Sequence, residues 1–130
     1  MEFEEYQNSI QHTLIYREKI AGVLTRLGLE HGTQAYINVS KLLALSYTSL
    51  GMGEAGEVQG KIKKVIRDSG GMITDEVRMA IAGELGDTLW YLAAVADELG
   101  LNLGDIAQAN LNKLADRKDR GVIEGSGDTR

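Results

Sequence analysis

The 130-residue sequence predicts an all-α protein, a bundle of amphipathic helices in a single domain. Three observations favour this class. Apolar residues recur at helical spacing along most of the chain, and no segment shows the alternation of apolar and polar residues typical of a strand. Proline is absent, which fits long uninterrupted helices. Apolar residues make up 43 % of the chain, enough for a hydrophobic core at this length.

The first predicted helix begins close to the N-terminus. Its apolar positions share one helical face, at Phe3, Tyr6, Ile10 and Leu14. Three further residues, Ile20, Leu24 and Leu27, continue helical spacing as far as Gly28. Residues 29–39 show no clear period and contain Gly32, so they are predicted to form a loop.

The second and third helices are predicted from their start and stop signals. Ser40 is a favoured N-cap residue, and the apolar pattern that follows it runs to about Ile66 and stops at residues 68–71. Thr74 is predicted to cap the third helix. An apolar stripe on that helix, ending at Gly100, is expected to face the core: Val77, Ile81, Leu85, Leu89, Leu92, Val95 and Leu99.

The fourth helix is predicted to begin at Asn102 as its N-cap and to fade by Gly121. Three polar residues on it fall at i, i+3 and i+7 and therefore share one face: Asn110, Lys113 and Arg117. Such a face could hold a polyphosphate, although cations near a helix C-terminus also favour the helix dipole. Residues 121–130 hold three glycines and a serine, which predicts a flexible or ligand-ordered tail.

Composition and charge exclude several functional classes. The chain has no cysteine, which excludes a disulfide framework, a thiolate nucleophile and a Cys-ligated metal. Its net charge of −5 disfavours binding to a nucleic-acid polymer, because phosphate contacts need a surplus of Lys and Arg. The longest apolar run, Leu89 to Ala96, is too short to span a membrane, and the first residues are acidic where a secretory signal is basic. We therefore expect a cytoplasmic protein with no membrane partner.

Two acidic pairs carry the strongest chemical signal. Glu54 and Glu57 are three residues apart, as are Glu84 and Asp87 on the next helix. This spacing puts both carboxylates of each pair on one side of a helix. If the two helices are antiparallel neighbours, four carboxylates can converge, and such a cluster of oxygen ligands suits Mg²⁺ or Mn²⁺.

A solvated helix face is the simpler interpretation of such pairs, with local contacts such as Glu57 to Lys61. Two other pairs with the same spacing lie elsewhere in the chain, at Glu2/Glu5 and Asp116/Asp119. The position of Glu54, four residues before Val58 and in line with the apolar face, favours a metal site. No basic residue follows Arg78 on the third helix to neutralise its acidic pair, so a metal is the expected partner.

Glycines crowd both acidic pairs, at Gly51, Gly53, Gly56, Gly60, Gly83 and Gly86. Each glycine inside a helix costs roughly 0.5–1 kcal/mol relative to alanine. Two explanations stay open: close packing between helices, or space for a cofactor or substrate. Tyr91, four residues after Asp87, could stack on a planar ring or fill the core, and Trp90 is interpreted as a packing residue.

These motifs carry a resemblance to a known family. The segment Gly53-Glu54-Ala55-Gly56-Glu57, then Lys61, then Glu84-Leu85-Gly86-Asp87, then Asn110, Lys113 and Arg117, resembles the MazG-like nucleoside triphosphate pyrophosphohydrolases. That all-α family is marked by an E-x-x-E pair, an E-x-x-D pair on the following helix and a later N-x-x-K-x-x-x-R run. The Gly-Ser-Gly-Asp at 125–128 also resembles the tail of some members.

The resemblance implies a bundle of four or five helices that hydrolyses a nucleoside triphosphate to the monophosphate and pyrophosphate. It implies Mg²⁺, or Mn²⁺, held by Glu54, Glu57, Glu84 and Asp87, which activates water for attack at the α-phosphorus. Glu57 is the preferred acceptor of the water's proton. Lys113, Lys61 and Arg117 would bind the phosphates, Asn110 and Tyr91 would approach the nucleoside, and the chain would form a homodimer or homotetramer.

Two other functions are compatible with a helical bundle. A carboxylate-bridged di-iron bundle would need Glu-x-x-His on two helices, and neither His12 nor His31 has a Glu three residues before it. A non-catalytic nucleotide-binding or regulatory bundle of the same fold stays open as the alternative. The base and sugar of the substrate are not specified by these motifs.

Overall fold

The computed structural model describes residues 1–127, and the predicted all-α class is confirmed. Within that part of the chain there are six α-helices and no strand. The helices are α1 (Phe3–Ser9), α2 (Tyr16–Arg26), α3 (Gln34–Gly51), α4 (Ala55–Asp68), α5 (Asp75–Glu98) and α6 (Leu103–Asp119). Two short 3₁₀ turns, Ile10–Thr13 and Met52–Glu54, follow α1 and α3. No helix within residues 1–127 combines the length and the apolar character needed to cross a membrane.

Helix α5 is the centre of the bundle, because α1, α3, α4 and α6 all pack against it, while α2 packs against α3. The core lies around the C-terminal half of α5 and consists of Ile10, Leu14, Tyr16, Ala44, Ala93, Ala94 and Leu103. Ala93 and Ala94 are fully buried. Small side chains at these positions let the neighbouring helices approach α5 closely.

The stripe predicted to face the core along α5 is only partly buried. Leu89 packs against the core, but Leu85 is 56 % exposed and Leu99 is 50 % exposed. The spacing of apolar residues predicted the existence of α5 correctly, but it predicted the wrong face of α5 as the buried one. The buried face of α5 is the one that carries alanines, which hydrophobic periodicity underweights because their side chains are small.

The first predicted helix is interrupted. α1 ends at Ser9, and Leu14 has left the helical conformation, with φ −78° and ψ 50°. Buried Gln7 lies on the short α1: its Nε2 donates to the Leu101 carbonyl at 2.8 Å, and its Oε1 accepts from the Leu103 backbone N–H at 2.8 Å. These bonds fasten α1 to the α5–α6 connection.

The predicted second helix is also two helices, and its start is wrong. α3 begins at Gln34, where the Thr33 hydroxyl caps it by accepting from the Tyr36 backbone N–H at 3.2 Å, so Ser40 lies inside the helix. The loop is correspondingly shorter than residues 29–39. The helix then breaks at the 3₁₀ turn Met52–Glu54, which leaves Glu54 at the N-cap of α4.

The remaining boundaries are confirmed. The Thr74 and Asn102 side chains cap α5 and α6 by accepting from backbone N–H groups of Val77 and Asp105. Gly100 follows α5 with φ +66°, a conformation that favours glycine.

A polar clamp joins the start of α2 to the end of α5. The Tyr16 hydroxyl donates to Glu98 Oε1 at 2.6 Å, and Arg17 Nε donates to the same oxygen at 2.9 Å. Arg17 also donates to Asp97 Oδ2 at 2.6 Å. Burial, followed by the hydrogen bond to Glu98, raises the pKa of Tyr16 well above its usual value. The phenol therefore stays protonated and keeps donating.

Candidate active site

Three carboxylates meet at the junction of α4 and α5. Glu54 ends the 3₁₀ turn before α4, and Glu84 and Asp87 lie one turn apart on α5. One carboxylate oxygen from each lies within 4.8 Å of the other two. Glu54 and Glu84 are half-buried and Asp87 is exposed. The set contains only carboxylate oxygens, the donors that Mg²⁺ and Mn²⁺ prefer, so these residues fit a hard divalent cation.

Glu57, the fourth predicted member, is exposed and is not part of this cluster. The expectation assumed that Glu54 and Glu57 share one regular helix. In the structure Glu54 ends the 3₁₀ turn and Glu57 lies in the first turn of α4, so the two residues belong to different elements.

Lys61 supplies the charge partner that the sequence did not reveal. Its Nζ lies 2.9 Å from Glu84 Oε1, and both side chains are largely shielded, at 30 % and 18 % exposure. A local pair of Glu57 with Lys61 along α4 was part of the alternative interpretation, a solvated helix face. Instead the ammonium reaches across to α5, so the acidic cluster is partly neutralised within the chain.

A cavity of about 380 Å³ opens beside the acidic cluster and is lined by Glu54, Asp87, Trp90 and Tyr91. The Trp90 and Tyr91 rings meet edge to face, with centroids 4.9 Å apart. Burial, Tyr47, and the charges of Glu54 and Asp87 raise the pKa of Tyr91. The cavity therefore has one acidic wall and one aromatic wall.

Two aromatic residues at this site were missed or undervalued. Trp90 packs against the core as interpreted, but it also lines the cavity, and its indole N–H donates to the Thr13 hydroxyl at 2.7 Å. Tyr47 lies on α3 with its ring centroid 6.5 Å from that of Tyr91. The adjacency of Trp90 to Tyr91 was a usable signal, whereas nothing in the local sequence connects Tyr47 with α5.

The glycines around the acidic pairs fall into two groups. A Cβ added at Gly51 would overlap the Tyr91 ring, so close packing is the explanation there. A Cβ added at any of the other five would meet nothing within 4 Å: Gly53, Gly56, Gly60, Gly83 and Gly86. Close packing within the chain therefore does not explain these five, and they border open space.

The predicted polar face of the last helix lies on α6. Asn110 and Lys113 are exposed there, whereas Arg117 is buried and donates to the Gly127 carbonyl at 3.4 Å. α6 packs against α1 and α5, not against α4. Of the motif at 125–128, Asp128 lies outside the described residues, as do Thr129 and Arg130.

Comparison with known proteins identifies the family of the chain. A family model described as the MazG nucleotide pyrophosphohydrolase domain matches residues 44–122, which include both acidic pairs and the polar residues of α6. The Gene 37 protein of Mycobacterium phage L5 is 54 % identical over 87 residues, covering 66 % of this chain and 76 % of that protein. No solved structure matches the chain. The resemblance found in the motifs is thus confirmed, and the chain belongs to the MazG nucleotide pyrophosphohydrolase family.

Proposed function

We propose that this protein is a Mg²⁺-dependent hydrolase that cleaves a nucleoside or deoxynucleoside triphosphate to the monophosphate and pyrophosphate. The observation that carries the proposal is the meeting of three carboxylates beside a cavity with an aromatic wall. Family membership supports pyrophosphohydrolysis as the reaction. We assign the activity to the cytoplasm, where nucleoside triphosphates are found.

Glu54, Glu84 and Asp87 are the residues that would hold Mg²⁺, or Mn²⁺ in its place. When bound, such a cation neutralises phosphate charge and lowers the pKa of water. The cavity next to the three carboxylates would accept the rest of the nucleotide, with Tyr91 against the nucleoside.

The reaction balances as a single displacement. A water oxygen forms a bond to the α-phosphorus, the bond from that phosphorus to the α,β-bridging oxygen breaks, and its electron pair leaves with pyrophosphate. We assign the acceptance of the water's proton to Glu57, because an exposed carboxylate outside the cluster is not needed as a ligand.

Basic side chains are proposed to bind the phosphates. Lys61 is the nearest candidate, because its ammonium already lies at the acidic cluster. Lys113 and Arg117 of α6 are proposed to assist it, and Asn110 to contact the nucleoside. Charge-assisted hydrogen bonds from such groups are among the stronger interactions available to a phosphate.

Replacing Lys61 with methionine is expected to tighten binding of Mg²⁺ alone, by about two- to fivefold. The ammonium competes with a cation for Glu84, and an ion pair of this exposure is worth about 0.2–1 kcal/mol. Calorimetric titration of the protein with MgCl₂, without nucleotide, measures the change. Lys41→Met is the control, since Lys41 is exposed on α3 and lies outside the acidic cluster. Unchanged or weaker binding in Lys61→Met would contradict the competition.

The chain is also proposed to assemble as a homodimer or homotetramer through α4. Ile66 is 70 % exposed, and together with Val58 and Ile62 it lines an open apolar groove of about 640 Å³ along this helix. Exposed apolar stripes of this kind are typical of interfaces. Because soluble oligomers are most often symmetric assemblies of one chain, a second copy is the proposed occupant.

Introducing Ile62→Glu together with Ile66→Glu is expected to reduce the assembly to the 14.1 kDa monomer. Two carboxylates buried in an apolar interface are strongly unfavourable. Light scattering coupled to size-exclusion chromatography gives the molar mass. Leu27→Glu, at an exposed position after α2, should leave the assembly intact. A monomeric wild-type protein would overturn this proposal.

The reaction itself is tested by incubating the purified chain with each nucleoside and deoxynucleoside triphosphate plus Mg²⁺ and identifying the products. Monophosphate plus pyrophosphate supports the proposal. Diphosphate plus orthophosphate would contradict it. Binding of nucleotides without any turnover would favour the alternative, a non-catalytic nucleotide-binding bundle.

A further inference from the structure

Gly51 and Tyr91 are in unusually close contact where α3 ends. The Tyr91 ring lies directly against the Gly51 Cα, and a Cβ at residue 51 would overlap the ring atoms Cδ1, Cε1 and Cζ. Among the six glycines around the two acidic pairs, only Gly51 has such a contact. The backbone of α3 therefore forms the surface on which the Tyr91 ring rests.

The other neighbours of Tyr91 restrict the ring from further directions. The Trp90 ring meets it edge to face with centroids 4.9 Å apart, and the ring of Tyr47, one turn before Gly51 on α3, has its centroid 6.5 Å from that of Tyr91. Tyr91 itself lies one turn after Asp87 and lines the cavity beside the acidic cluster. A ring displaced from Gly51 must move relative to Trp90 and to this cavity.

We propose that Gly51 is a positioning residue, which sets the place of the Tyr91 ring and thereby the affinity of the site for the nucleoside part of its substrate. The inference rests on the proposed function, in which Tyr91 contacts the nucleoside. It adds a role for a residue that touches neither metal nor phosphate. Alanine at residue 51 would force the Tyr91 ring away from α3. The methyl group of alanine is too short to contact the nucleoside in place of the ring.

Helix propensity alone predicts a different effect of Gly51→Ala on substrate affinity. Gly51 is the last residue of α3, and at an unhindered helical position alanine is the better helix former. On that view Gly51→Ala would be neutral or stabilising and would leave substrate affinity unchanged. The contact with Tyr91 predicts impaired substrate binding instead.

The first test compares Gly51→Ala with wild-type protein in steady-state kinetics. We expect KM for the hydrolysed nucleotide to rise about tenfold, the order of one lost base–aromatic stack, with kcat changed less than twofold. Mg²⁺ affinity measured without nucleotide should stay within twofold. Gly22→Ala is the matched control, because a Cβ there meets nothing within 4 Å and α2 contributes nothing to the acidic cluster. An unchanged KM in Gly51→Ala would overturn the proposal.

The second test asks whether Gly51 acts through Tyr91. In a Tyr91→Leu background, Gly51→Ala is expected to cause no further rise in KM, because the ring that it displaces is gone. An equal tenfold effect in both backgrounds would refute the assignment. A loss of helical circular dichroism in Gly51→Ala would also count against it, since the proposal requires a folded protein with a moved side chain.

A third measurement does not depend on turnover. Trp90 is the only tryptophan of the chain, and it touches Tyr91, so its fluorescence in the nucleotide-free protein reports the position of that ring. Gly51→Ala should change this emission, and Gly22→Ala should not; identical spectra for Gly51→Ala and wild type would refute the displacement. If the wild type hydrolyses no nucleotide but the emission shifts as expected, the proposed function fails while the contact stands.

Discussion

Asp87→Asn is expected to reduce nucleoside triphosphate hydrolysis by about a hundred- to a thousandfold, the range seen when one preorganised electrostatic contact is removed from an active site. Asp87 is the exposed member of the three-carboxylate cluster and, like Glu54, lines the cavity, so it lies beside the proposed substrate. An amide of the same shape keeps the packing of α5 but removes the negative charge that a divalent cation needs.

Three measurements together check this expectation. Turnover at saturating Mg²⁺ should fall, calorimetric Mg²⁺ binding should weaken, and far-ultraviolet circular dichroism should remain helical. Asp75→Asn, the same change at the exposed start of α5, is the control and should retain wild-type turnover. If Asp87→Asn keeps the wild-type rate, the metal assignment is wrong.

Glu98→Ala is expected to lower the free energy of unfolding by about 2–3 kcal/mol, because it leaves buried polar groups without their partner. Glu98 is 8 % exposed and accepts from both the Tyr16 hydroxyl and Arg17 Nε. Without the Glu98 carboxylate, the Tyr16 hydroxyl in the core cluster loses its acceptor, and two hydrogen bonds between α2 and α5 are lost.

Urea unfolding followed by circular dichroism measures this loss. Asp116→Ala is the matched control, because Asp116 forms an ion pair with Arg120 at 2.8 Å in which both side chains are about half exposed. Exposed pairs contribute little, so the control should cost no more than about 0.5 kcal/mol. Equal destabilisation by the two variants would show that burial is not what makes the Glu98 clamp strong.

The helices were predictable wherever a local signal marks their ends. Thr74 and Asn102 cap α5 and α6, as expected from residues whose side-chain oxygens accept from the next backbone N–H groups. Ser40 has the same chemistry but lies inside α3, because Thr33 provides an earlier cap. A sequence offers several such candidates, and tertiary packing, here the burial of Tyr36, selects among them.

The candidate site was predictable as far as its chemistry depends on neighbours along the chain. Spacing identified the two acidic pairs, and it identified Tyr91, four residues after Asp87, as a candidate contact for a planar ring. The Lys61–Glu84 pair and the contact of Gly51 with Tyr91 join different helices, so they depend on how those helices cross and not on any local pattern. Glu57 lies outside the three-carboxylate cluster for a related reason, since spacing along one helix does not determine which side chains reach a neighbouring helix.

Five glycines near the acidic cluster lower the stability of the helices that carry it: Gly53, Gly56, Gly60, Gly83 and Gly86. Their Cβ positions are vacant, so the fold of the single chain does not require glycine at any of them. Alanine inside a helix is more stabilising than glycine by roughly 0.5–1 kcal/mol. The helices around the acidic pairs are therefore less stable than they would be with alanine at these positions. The chain thus keeps residues of low helix propensity beside the residues proposed to do its chemistry, where greater stability is often exchanged for function.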